Sequence, residues 1–509
     1  MAKNLKFIPY SPWEAIKWIG KHIILDFYYP FILVIFFLFV TPVVTTLIII
    51  VSSSWFYGFL IFFIVFVSLV IHQIVQINQH KIENIGSLNK HGWREFQFKK
   101  SNSVEGKNSN QKKKAKYIIG FIGDIMKMGD YTLKFEKRVK KFFNGVHLIV
   151  GNLEGLILKI KKDGISTQHH NDKILDQLAR IKLESTKSKV ESKWLLCVSN
   201  NHSADFGIVD FEESRDLIND KENFYAFGDL DKKHSFFPWN KSQGMEDINI
   251  VTGTMWTNKK SNNLIARFDS CNSHHDSDKF NILFPHWHYE NESYIRSKIQ
   301  RKAINLFLSG DYKEMNWNKI YDLIDKFSPF KKRIKRAWFQ EKFYKKSEVP
   351  VNDEKQKWDL IYGHHSHVPQ PIKNYGKGIM GYSGGNFTSS QRRKKHISGL
   401  IMKCEIFEVN DHLELGKVHW CYTRNERNKK KKEVCVIIDC SRTRKKYFES
   451  RNIKFRASLV IFSIALGIWL GLFWMLGTIN SLYWIIYSIV IIALFVYFGV
   501  KNFRFTSKI

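Results

Sequence analysis

Trp358-Asp359-Leu360-Ile361-Tyr362-Gly363-His364-His365-Ser366-His367 is the stretch that decides the fold. Leu360, Ile361 and Tyr362 make a short apolar, strand-like run, and a glycine closes it. Three histidines in four residues follow, a density that packing alone does not call for. The stretch reads as a strand that empties into a polar, chemistry-bearing loop. If the loop is extended, His365 and His367 alternate and point the same way.

The same pattern recurs on both sides. Tyr117 to Ile122 is apolar and is followed by Gly123-Asp124. Val146 to Val150 is followed by Gly151-Asn152-Leu153-Glu154-Gly155. Trp194 to Val198 leads into Ser199-Asn200-Asn201-His202, with Asp205 and Gly207 just beyond. Phe280 to Phe284 leads to His286-Trp287-His288, and Gly378 to Tyr382 to Ser383-Gly384-Gly385-Asn386-Phe387. Ile248 to Val251 is a further strand-like run, while Asp172 to Leu183 and Tyr294 to Leu308 read as helices. Short buried strands alternating with amphipathic stretches predict an α/β sandwich. In such sheets the loops at the carboxyl ends of the strands form the ligand crevice. Asp, Glu, Asn and His gathered there have the donor chemistry of a site for Mn, Fe or Zn. Gly381-Tyr382-Ser383-Gly384-Gly385 also matches the pattern of a nucleophile elbow. The metal reading accounts for more of the strand exits.

The chain has 509 residues, 79 Lys plus Arg against 47 Asp plus Glu, and a formal charge of +32. Six cysteines without a CxxC pair exclude a disulfide-dense scaffold and a zinc ribbon. Two long apolar blocks, from about Tyr29 to Ile77 and from about Ala457 to Val500, carry no Lys, Arg, Asp or Glu. Each reads as a transmembrane helical hairpin. Lys and Arg flank both blocks and are missing from the hairpin tips, which predicts a multi-pass membrane protein with a cytoplasmic centre. The resulting division is 1–80 hairpin, 81–116 basic linker, 117–410 α/β domain, 411–456 basic extension and 457–509 hairpin. The basic runs, Lys112 to Lys114 and Lys429 to Lys432 among them, favour the anionic face of a lipid bilayer over nucleic acid as partner. Lys331-Lys332-Arg333 and Lys335-Arg336 suit an entrance for an anionic substrate.

The order Gly123-Asp124, Asn152-Leu153-Glu154, Asn200-Asn201-His202 with Asp205-Phe206-Gly207, His286-Trp287, Gly363-His364-His365-Ser366-His367-Val368 with Gln370-Pro371-Ile372, and Tyr382-Ser383-Gly384-Gly385-Asn386-Phe387 resembles the CapA family of poly-gamma-glutamate capsule synthesis proteins. These are similar to calcineurin-like metallophosphoesterases, so the resemblance implies a metallophosphoesterase-like α/β sandwich over residues 117–410. It implies two divalent metal ions held by Asp124, Glu154, Asn201, His286, His365 and His367. Asn152 contests the bridging place of Glu154. His202 would stand unligated as general acid or electrostatic stabiliser. Met126 occupies a position where the phosphoesterase motif carries histidine. The implied function is phosphoester hydrolysis linked to envelope-polymer synthesis, with a polymer-linked substrate and capsule-synthesis partners. The alternative is a non-enzymatic subunit of a polymer synthesis or export assembly.

Overall fold

The computed structural model describes residues 82–98, 115–160, 167–181, 192–230, 245–256, 263–292, 358–375, 378–391 and 394–448, with Ile295, Ile299, Ala303 and Leu306. Almost all of these belong to one compact unit, Glu83–Lys162 with Thr167–Phe448. A second unit, Met1–Ile82 with Asp163–Ser166 and Glu449–Lys508, lies almost wholly outside the described residues.

One sheet is built from β1 (Arg94–Gln97), β2 (Tyr117–Ile125), β3 (Thr132–Phe135), β4 (Leu148–Leu153), β5 (Lys193–Cys197) and β6 (Phe224–Phe227). The other holds β7 (Ile248–Thr254), β8 (Phe280–His286), β9 (Leu360–Tyr362), β10 (Ile372–Tyr375) and β11 (Gly378–Gly381). The chain then returns to the first sheet as β12 (Asn386–Thr388), β13 (Ser398–Val409), β14 (His412–Asn428) and β15 (Glu433–Ile438). The first sheet runs in the order β6-β5-β4-β2-β13-β14-β15-β3, with β12 also on β2 and β1 on β14. Its β6-β5-β4-β2 half is parallel, and β2-β13-β14-β15 is antiparallel. The second sheet runs β7-β8-β9-β11-β10 and is parallel except at its β10 edge.

Alternating side chains explain the layers. Ile122 and Ile125 of β2, Ile149 and Leu153 of β4, and Trp194 and Leu196 of β5 join one apolar cluster with three helices. Those helices are α1 (Lys137–Phe142), α2 (Ile174–Ala179) and α3 (Ile208–Asp220), which contribute Val139, Phe142, Ile174, Leu178, Phe211 and Ile218. Burying each such side chain contributes about 1.5–3 kcal/mol. The opposite face of the first sheet meets the second sheet. There Phe121 stacks on Tyr362 at 5.5 Å, Tyr362 on Phe284 at 6.0 Å, and Phe227 packs on Phe284 at 6.2 Å. Ile295, Ile299, Ala303 and Leu306, spaced as on one helix face, are buried.

Two boundaries differ from the sequence reading. Arg94–Gln97, expected in a linker, pairs antiparallel with Lys417–Trp420. β14 begins where a basic extension was expected and pairs with β13 along most of its length. Its charges sit at the ends while Trp420, Cys421 and Tyr422 are buried, so the charged ends masked a central strand. The run Lys429 to Lys432 occupies the exposed turn between β14 and β15.

The expectation of a multi-pass membrane protein is corrected. Among the described residues no helix is long and apolar enough to cross a membrane. The cytoplasmic placement of the centre was drawn from that expectation and goes with it. The apolar blocks at 29–77 and 457–500, with the two flanking hairpins, lie outside the described residues, as do the basic runs at 112–114 and 331–336.

Candidate metal centre

Asp124 is the penultimate residue of β2, Glu154 follows β4, His286 ends β8, and the 364–367 loop leaves β9. These parallel strands deliver their carboxyl ends to one place. Backbone contacts between the exits fix it. Asp124 N donates to Gly385 O at 2.7 Å, and Gly384 N to Gly363 O at 2.8 Å. The fit admits no side chain, since a Cβ on Gly123 would stand 2.0 Å from Gly385 O.

Asn152 links the two carboxylates. Its Nδ2 donates to Asp124 Oδ1 at 2.8 Å and to Glu154 Oε2. Asn200 holds Asn152 in turn, donating to its Oδ1 at 3.2 Å and to Leu153 O at 2.8 Å. Neither asparagine's supporting role could be read from sequence, because both sit beside residues that look more like ligands.

The site has two unlike halves. In the first, His364 Nδ1 lies 3.5 Å from Asp124 Oδ1 and His367 Nδ1 3.3 Å from Asp124 Oδ2. The backbone N–H of His365 also points at this carboxylate, 3.3 Å from each oxygen. Burial pushes the Asp124 carboxyl up, but the close approach and charge of His364 and His367 outweigh it and hold it well below the usual carboxylate range. The same pairing overcomes burial at His364 and His367 and raises each to about 9.

In the second half, Glu154, His286 and His365 each offer one ligand atom within 4.8 Å of the others. All three residues are buried, and Glu154 Oε1, His286 Nε2 and His365 Nδ1 have no hydrogen-bond partner. Burial, reinforced by neighbouring imidazoles, holds His286 and His365 well below the usual imidazole value. They are therefore neutral, the form that ligates metal. The tautomer of His286 follows from its support. Thr254 Oγ1 donates its proton to Trp256 O at 2.8 Å, so it accepts from His286 Nδ1, also at 2.8 Å. The lone pair is left on Nε2, 3.6 Å from Glu154 Oε2. Unpartnered buried donors of this chemistry fit a divalent metal ion such as Zn, Fe or Mn.

His202 lies at the rim, with its side chain 14% exposed and its Nε2 3.9 Å from Glu154 Oε1. Asp205 Oδ2 engages its Nδ1 at 2.7 Å. Burial alone would lower this imidazole, but the Asp205 hydrogen bond and the charges of Asp205 and Glu154 raise it overall.

Of the sequence-nominated residues, Asp124, Glu154, His286, His365 and His367 come together, with His202 beside them. Asn200 is tied into the network through Asn152 and Leu153 O, and Asn201 opens the turn that follows it. His364 was not nominated, yet it reaches Asp124. The 364–367 loop is not extended. His365 and His367 adopt φ of 92° and 57°, in the left-handed region that side chains disfavour. As a result the two rings serve different carboxylates rather than pointing the same way. Ser383 is fully buried and its Oγ accepts from Ser366 Oγ at 2.8 Å, so it braces the loop instead of presenting a nucleophile.

No protein-family model matches this chain, and no curated protein matches it. A solved structure described as "Putative 5'-Nucleotidase from Staphylococcus aureus in complex with alpha-ketoglutarate" has 8% sequence identity over 67% of this chain, with a TM-score of 0.29. This chain spans 58% of that structure's length. A likeness so low decides neither fold nor chemistry, which rest on the geometry above.

Proposed function

We propose that the chain is a metal-dependent hydrolase of phosphoester bonds on a metallophosphoesterase-like sandwich, with Glu154, His286 and His365 holding metal. The observation that carries this reading is the buried trio of unpartnered ligand atoms where the parallel strands of the two sheets deliver their exits. Asp124 and His367, the latter on losing its proton, would hold a second ion, with Asn152 between the two carboxylates.

A divalent metal supplies charge that polarises a phosphoryl oxygen and brings the pKa of water toward neutrality. The chain's own residues do the rest. Glu154 keeps one oxygen bonded to Asn152 and the other open to the site. Thr254 fixes the His286 tautomer. His202, oriented by Asp205, which raises its pKa, offers its Nε2 proton to the departing oxygen. The formal charge of +32 favours the arrival of anionic substrates, polymer-linked ones included. A role in envelope-polymer synthesis is supported by the order of the strand-exit motifs.

Elemental analysis of the purified protein, paired with an aryl phosphate and a phosphodiester panel, tests the reading. Bound divalent metal and metal-dependent hydrolysis are expected, both lost in His365→Ala. Metal without hydrolysis of any phosphoester would replace the enzyme with a structural subunit. A metal-free, folded protein would overturn the site itself.

A further inference from the structure

We infer that the chain has a second ligand site, a cavity of about 210 Å³ that takes a small molecule through its phosphoryl group. The cavity lies between the turn at 90–93, α1 and the short helix Cys440–Thr443 with Arg444, and shares no residue with the candidate metal centre. Lys90, His91, Arg138, Lys141 and Arg444 line it, together with Cys440. Three segments far apart in sequence thus aim basic side chains at one hollow, and among the described residues no carboxylate lines it. Arg138 is offset by Glu136 at 2.7 Å, and Glu95 acts on His91 against the lysines. Partial desolvation, with the charges of Lys141 and Lys90, holds the His91 imidazole below its usual value.

Like charges gathered in a concave wall repel one another, and a bound anion relieves that repulsion. Arg and Lys recognise phosphoryl oxygens by charge-assisted hydrogen bonds. The volume suits a phosphoryl group with a small remainder. Cys440 supplies a built-in reporter. Its Sγ accepts from Arg138 Nη1 at 2.9 Å; Cys197, Cys271, Cys404 and Cys421 are buried, while Cys440 and Cys435 are half-buried and are told apart by their peptides.

The test is the rate of Cys440 alkylation by iodoacetamide in the full chain, read by peptide mass, with inorganic phosphate as probe. With a millimolar Kd, about 10 mM phosphate slows the reaction about tenfold by mass action. Sodium chloride at equal ionic strength should not. Lys141→Glu combined with Arg444→Glu removes the protection, and Lys141→Gln weakens it, while metal content stays as in the parent. Unprotected Cys440, equal protection by sodium chloride, or undiminished protection in the double variant would each overturn the inference. Protection by a single-stranded oligonucleotide but not by phosphate would overturn it too, in favour of a polyanion surface.

Discussion

His202 separates catalysis from structure at the scale of one residue. Its ring is held by Asp205 and reaches toward Glu154 without joining the ligand trio. His202→Ala is expected to lower turnover on a substrate with a poor leaving group by roughly 10²–10⁴-fold, with metal content unchanged. Steady-state kinetics with a good and a poor leaving group check this, since the good one needs little protonation. Thr254 acts through His286. Thr254→Val removes the acceptor for Nδ1–H and is expected to weaken metal binding by about 10–100-fold in a metal titration, with Thr254→Ser restoring it. Sequence named the charged and imidazole residues here because packing alone does not call for three histidines in four positions. It missed Asn152, Asn200 and Thr254 as supports, because amides and hydroxyls occur everywhere and acquire a role only from their neighbours.

At the scale of the element, β9 shows both ends of a buried strand. Its exit carries the histidine loop, and its approach carries Asp359, whose Oδ2 accepts from Asn281 N at 2.7 Å. Desolvation pushes this half-buried carboxyl up to about 7 from 3.8, against the help of that hydrogen bond. A raised carboxylate favours the neutral form in the fold. Its stabilising share is therefore complete below the unfolded value of 3.8 and is lost as pH rises through about 7. Thermal unfolding should show stability falling across that window, and Asp359→Asn should flatten the slope and stabilise the protein at neutral pH. An unchanged slope in the variant would assign the pH dependence to other groups. The strand itself was legible from Leu360 to Tyr362, as were the apolar runs of β2, β4, β5, β7, β8 and β11, because full burial on both faces demands uninterrupted apolar residues. β14 was not, since its ends are polar and its pairing with β13 and β15 is invisible locally.

At the scale of the whole molecule, that pairing sets what can be removed. β14 lies between β13 and β15 and also carries β1. A fragment of residues 83–448 is expected to unfold cooperatively by circular dichroism. One ending at residue 410 leaves β13 with an open edge and the Trp420 and Tyr422 positions empty, and should fail to fold. Cooperative unfolding of the shorter fragment would show that β14 is dispensable. The sequence alone determined that the chain forms buried strands whose exits carry Asp, Glu and His, because apolar runs and the residues that close them are local properties. Tertiary structure decided how those exits divide the work. Asp124 is charge-paired with His364 and His367, while Glu154, His286 and His365 keep ligand atoms without hydrogen-bond partners. That division depends on positive φ at His365 and His367 and on backbone contacts between Gly123, Gly363, Gly384 and Gly385. Such geometry arises only when strands distant in sequence pack to van der Waals contact.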